Sequence, residues 1–218
     1  MAVRLASSVT RQERTSIMTC ARTEEREQVK IGTIGDAKRR YRESAGDAAG
    51  YRDLISLLID SGFRQTLRND SYFDALVLTE VMYNRTKQSI RSLTGKGGEG
   101  FICELMNPFT RALERIHARG GTVKLIVLGD EQPQALCELA KRFSGTLRIA
   151  VAKPLSRLQH FIICDSRIVR LEDYHGELSD STSAHEIKAE VFFNNSEKAR
   201  MLESFFEAIW SSVSPLTS

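Results

Sequence analysis

Between positions 160 and 172 the chain carries a histidine, an aspartate, two arginines and a glutamate set around two apolar runs. In Leu158-Gln159-His160-Phe161-Ile162-Ile163-Cys164-Asp165 an imidazole stands at one end of an apolar run and a carboxylate at the other. The next stretch, Ser166 to Glu172, interleaves Ile168, Val169 and Leu171 with Arg167, Arg170 and Glu172. An imidazole oriented by a carboxylate acts as general base or nucleophile, and an arginine grips a phosphate or carboxylate through parallel N–H donors. His160 and Asp165 are therefore the candidate catalytic pair, with Arg167, Arg170 and Glu172 as candidate ligand-binding groups. The same residues equally describe a structural ion-pair network in which His160 simply partners a carboxylate.

Two other clusters carry less. His175, Glu177, Asp180, His185 and Glu186 fall in one polar stretch without a recognised ligand spacing, so no metal site and no cofactor are expected. Gly95-Lys96-Gly97-Gly98 invites a phosphate-loop reading, but the lysine precedes the later glycines and no Ser or Thr follows it. A flexible loop is the reading there, one able to close over a site.

The elements that must position these groups follow from periodicity. The runs Phe161–Cys164 and Ile168–Leu171, with almost no spacer, predict a hairpin that makes His160, Asp165, Arg170 and Glu172 neighbours. Thr122 to Leu128 is nearly all apolar, as in a buried parallel strand, and Leu147, Ile149 and Val151 alternate as another. Ser89 to Thr94 and Ile187 to Phe193 complete the predicted strands. Helices are expected from Tyr51 to Asp60, after the cap Asp70-Ser71, through Phe109 to Arg119, after Pro133, and from Asn195 to Trp210. Phe101 to Met106 is an entry segment of undefined form, and Asp173 to Glu186 is a loop. Helices alternating with strands, then a hairpin, a strand and a helix, predict an α/β sandwich with a mixed sheet spanning 46–214.

Residues 1–45 differ in kind. They hold ten Lys/Arg against six Asp/Glu and no sustained apolar period, which predicts a disordered tail or a loosely attached helix near Arg22–Lys30. Lys38-Arg39-Arg40 and Arg42 are the residues on which a nucleic-acid arm would be built. With a formal net charge of +3 overall, the remainder of the chain is close to neutral, so attraction to polyanions is expected of the tail or a local cluster only. Cys20, Cys103, Cys137 and Cys164 are scattered without metal or disulfide spacing, which points to a reducing, cytoplasmic compartment. No apolar run approaches the roughly 18 residues of a membrane span, and no membrane partner is expected.

The order of elements, with Arg119-Gly120-Gly121 leading into a strand, His160-Phe161-Ile162-Ile163-Cys164-Asp165, and a terminal Phe205-Phe206-Glu207-Ala208-Ile209-Trp210, resembles one half of the phospholipase D superfamily over roughly residues 72–212. Enzymes of that family carry H-x-K, an apolar strand ending in Asp, then Gly-Ser and an Asn. With Asp165 on the family's Asp, His160 falls on the lysine and Leu158 on the nucleophilic histidine, while Arg170-Leu171-Glu172-Asp173 stands at the Gly-Ser region. A leucine attacks nothing, and acidic groups there repel a phosphodiester. The resemblance thus implies a non-catalytic binding or sensor/adaptor module of degenerate phospholipase D type. Its partner would be a small anion, a nucleotide or nucleic acid, or a partner protein. The alternative is a metal-independent phosphodiesterase or nuclease using His160, with Arg167 or Arg170 holding phosphate. Family enzymes pair two halves, so a homodimer is implied.

Overall fold

A computed structural model describes residues 32–43, 48–95, 98–129, 134–153 and 158–213. Its elements run α1 (Ile34–Glu43), α2 (Ala49–Asp60), β1 (Gln65–Asn69), α3 (Tyr72–Arg85), β2 (Ser89–Thr94), α4 (Gly98–Glu104), α5 (Met106–His117) and β3 (Thr122–Leu128). They continue through α6 (Gln134–Arg142), β4 (Leu147–Ala152), β5 (Phe161–Cys164), β6 (Ile168–Glu172), β7 (Ala189–Phe193) and α7 (Ser196–Ser212). No helix among the described residues is long and apolar enough to cross a membrane.

The strands form one sheet in the order β1-β7-β6-β5-β2-β3-β4. β2, β3 and β4 are parallel, joined through α4–α5 and through α6, whereas β5, β6, β7 and β1 pair antiparallel. This is the α/β sandwich with a mixed sheet that the pattern predicts. The continuous apolar run of β3 is explained by burial on both faces: Val123 and Leu125 pack with the helices α1 to α6, Ile126 and Leu128 with α7. On that second face Ala199, Leu202, Phe206 and Trp210 of α7 cover Leu93, Ala150, Phe161, Ile163 and Val169. Helix ends obey local chemistry. Ser71 caps α3 by accepting the Asp74 N–H at 3.1 Å, and Asn195 caps α7 by accepting that of Lys198 at 3.0 Å.

The sequence reading misses three features. β1 has no apolar alternation and becomes a strand through its pairing with β7. Phe101 to Met106 is shared between α4 and the start of α5. α1 lies inside the stretch assigned to the tail, with Ile34 and Ala37 buried in the core cluster and Tyr41 packed against it. That three- and four-residue spacing is a short apolar stripe hidden by the surrounding charge. Thr33 caps the helix, accepting the Asp36 N–H at 3.2 Å. Three cations of the supposed nucleic-acid arm are engaged by the body: Lys38 meets Asp180 at 2.7 Å, Arg42 pairs with Glu104, and the Arg40 guanidinium lies over the Phe73 ring; Arg39 meets Asp36 of its own helix at 2.7 Å. The helix expected near Arg22–Lys30 lies outside the described residues, as do Lys96, Gly97, Pro133 and Cys20.

Candidate functional site

The hairpin decides which side chains meet. Ile162 pairs with Arg170 and Cys164 with Ile168, so by strand alternation His160, Ile162, Arg170 and Glu172 share the face that carries the helices. The turn is as tight as the sequence suggests. Asp165 and Ser166 take φ of 49° and 52°, the left-handed pair of a type I′ turn, and Arg167 N–H donates to the Cys164 carbonyl at 3.2 Å. At the other end Glu172 N–H donates to the His160 carbonyl at 2.9 Å, holding the two residues side by side.

Because β5 and β6 are antiparallel, the groups at the turn are remote from the groups at the open end. Asp165 does not meet His160; at ~3.3 Å per residue the two Cα atoms stand about 16 Å apart along the strand. Its carboxylate accepts the backbone N–H groups of Lys87, Gln88 and Ser89 at 2.9, 2.7 and 3.0 Å, which ties the turn to the start of β2. Arg167 donates to Asn194 Oδ1 and to the Ile59 carbonyl, also at the turn end. The expected catalytic pair is therefore separated by the strand that joins it.

What assembles at the open end is His160, Glu172 and a residue the sequence reading left in a loop, His175. His160 Nδ1 lies 3.3 Å from Glu172 Oε2 and 3.3 Å from His175 Nε2, and His175 Nε2 lies 3.0 Å from the same Glu172 oxygen. The other carboxylate oxygen of Glu172 pairs with Arg170 Nη1. Arg170 is fully buried, and its Nε donates to Asn69 Oδ1 at 3.2 Å while Asn69 Nδ2 donates to the Ser71 carbonyl at 2.8 Å. Arg170 Nη2 has no hydrogen-bond partner among the described residues, and the guanidinium sits 5.6 Å from the centre of the Phe101 ring. Burial opposes ionisation of Glu172, yet the Arg170 charge and hydrogen bonds with both histidines hold its carboxyl well below the usual carboxylate range. For His175 burial opposes the charged ring, and the hydrogen bond and charge of Glu172 outweigh it, leaving its pKa raised.

The three groups line a partly open pocket whose interior volume is about 40 Å³. Tyr72, Tyr83, Phe101, Ile102, Leu178 and Ile187 supply much of its wall, and Ser92, Thr94 and Gly95 lie at the end of β2. The glycine segment meets the site here. Gly95 abuts the His160 imidazole and Gly98 opens α4. No spacing rule in the aperiodic stretch after β6 marked His175 as the third member.

No family model matches the sequence, and no curated protein does. Solved structures do. TrmBL2, an archaeal chromatin protein whose structure shows a novel mode of DNA binding, aligns at TM-score 0.54 and 15% identity, over 84% of this chain and 68% of that one. Nuc from Salmonella typhimurium, a phospholipase D family member, aligns at TM-score 0.52 and 17% identity, over 72% of this chain and 99% of that one. NucT from Helicobacter pylori aligns at TM-score 0.51 and 15% identity, over 71% and 100%. At these identities the likeness is one of fold, and the fold is the one that a phospholipase D family member adopts.

Proposed function

We propose that the chain is a non-catalytic binding module of phospholipase D-like fold, and that its ligand enters the pocket at the open end of the β5–β6 hairpin. One observation carries this reading: a single carboxylate, Glu172, engages His160, His175 and Arg170 together. A phosphodiesterase of phospholipase D type needs a histidine to attack phosphorus and cations to hold phosphate oxygens, and here the histidines and the arginine are engaged by a carboxylate that repels a phosphodiester. The aromatic and aliphatic walls favour a small ligand with a flat or apolar body and one polar end, the usual composition of small-molecule sites.

The test pairs activity with binding. Purified wild type and His160→Ala are assayed on a generic phosphodiester and on single- and double-stranded DNA, with oligomeric state recorded by light scattering. In parallel, a small-molecule panel is screened by thermal shift against wild type and Leu178→Trp, which fills the pocket. The expected result is no turnover by either form, and stabilisation of wild type by panel members that Leu178→Trp does not share.

A second reading has one observation in its favour. The carboxylate of Glu172 lies beside His160 Nδ1 in the arrangement that orients a catalytic imidazole. On that reading the protein is a homodimeric, metal-independent phosphodiesterase or nuclease that brings two such sites together. Hydrolysis by a wild-type dimer that vanishes in His160→Ala would establish it and overturn the first.

A further inference from the structure

We propose that His160 Nδ1, His175 Nε2 and Glu172 Oε2 are the three protein ligands of a divalent first-row metal ion, with zinc as its reference occupant. The proposal is independent of whether an organic ligand fills the pocket.

The geometry comes first. The three atoms form a nearly equilateral triangle with sides of 3.3, 3.3 and 3.0 Å. Ligands about 2.0–2.2 Å from an ion lie about 3.3–3.6 Å apart in a tetrahedron and about 2.8–3.1 Å apart when adjacent in an octahedron. The observed sides span these two values. Two imidazole nitrogens and one carboxylate oxygen on a single face, with further positions open, form a donor set suited to zinc, iron, cobalt or nickel.

The surrounding contacts orient those donors. His175 Nδ1 lies 2.8 Å from the Gly176 carbonyl, an acceptor only, so this nitrogen carries the hydrogen and Nε2 of the neutral ring presents a lone pair. Nε2 faces a Glu172 oxygen 3.0 Å away, so the place that a proton fills when the ring donates to the carboxylate is one that a metal cation can take instead. Arg170 holds Oε1 of Glu172 and is itself held by Asn69, which leaves Oε2 for the histidines. All three donors are sheltered, with side-chain exposures of 18% for His160, 14% for Glu172 and 4% for His175. An ion there would give an otherwise apolar pocket a Lewis-acidic end able to receive a ligand oxygen.

The full, tag-free chain is stripped with chelator and titrated with zinc chloride by calorimetry, then with cobalt(II) while its visible spectrum is recorded. One ion per chain is expected, with a cobalt spectrum that lacks a thiolate charge-transfer band. Binding should weaken about tenfold or more in His160→Ala and His175→Ala and stay unchanged in His185→Ala. If either alanine variant proves unfolded by circular dichroism, imidazole NMR of wild type decides instead: zinc should shift the His160 and His175 ring signals and leave those of His117 and His185 in place. Absence of tight binding, a thiolate band, unaltered affinity in folded His160→Ala and His175→Ala, or unmoved His160 and His175 signals would each overturn the proposal.

Discussion

The His160 imidazole is seated so closely on Gly95 that a Cβ at position 95 would fall 2.0 Å from its Cε1 and 2.2 Å from its Nε2. Gly95→Ala is therefore expected to push the ring away from Glu172 while leaving the fold intact, because the obstructing atoms end a side chain that can rotate. Gly121→Ala is the contrast, since its Cβ would meet the Gln88 backbone carbonyl oxygen at 2.1 Å where β2 and β3 begin. It should cost about 1–3 kcal/mol, the range for overpacking. Urea unfolding of both variants, with histidine ring NMR of the first, checks the pair.

The Arg170–Glu172 pair should show a large asymmetry between single and double replacements. Glu172→Leu strands a buried guanidinium and is expected to destabilise by about 3–5 kcal/mol, whereas Arg170→Met with Glu172→Leu removes both charges and should recover much of that loss. A double-mutant cycle in urea measures the coupling, and additive losses would contradict it.

Asp165 should behave as a structural acceptor. Asp165→Ala removes the partner of three backbone N–H groups at a left-handed position and is expected to cost about 2 kcal/mol. Asp165→Asn keeps an acceptor and tolerates that conformation, so its cost should be about half. Neither change should alter pocket binding, which thermal shift with and without ligand would reveal.

A pH dependence is expected at α7. Burial opposes the charge on Glu207, but hydrogen bonds and charge from Lys124 and Arg91 hold its pKa below the ordinary 4.5. A depressed carboxylate pKa contributes stability above the unfolded value, and that contribution is lost as pH falls through the folded one. Since the side chain is 38% exposed, the screened contribution is roughly 0.5–1 kcal/mol. Wild type should exceed Glu207→Gln by that amount at pH 7, and the gap should close below pH 4.5. An unchanged gap in acid would assign the difference to packing.

Much of the frame was readable in advance because each signal was local. The apolar run of β3 announces burial on both faces, and Ser71 and Asn195 mark helix starts through their own hydrogen bonds. The hairpin was equally legible, and its register sets Glu172 beside His160. That register also forbids the meeting of His160 with Asp165, a constraint that reading charges by proximity in sequence overlooks. β1 was hidden because Gln65, Thr66 and Arg68 have no pattern of their own, and only β7 makes a strand of them. His175 was hidden because an aperiodic loop carries no rule for where its side chains return.

The sheet's unequal cover bears on the order in which the chain can mature. Among the described residues six helices shield one face, whereas the other is covered by α7, the last of the described elements to be synthesised, and β1 waits for β7 before it has a partner. A nascent chain that has emerged only as far as β6 carries Phe161, Ile163, Val169 and Leu171 without their covering helix. During translation that surface is open to chaperones and to other nascent chains, so completion of α7 is the event that ends the exposure.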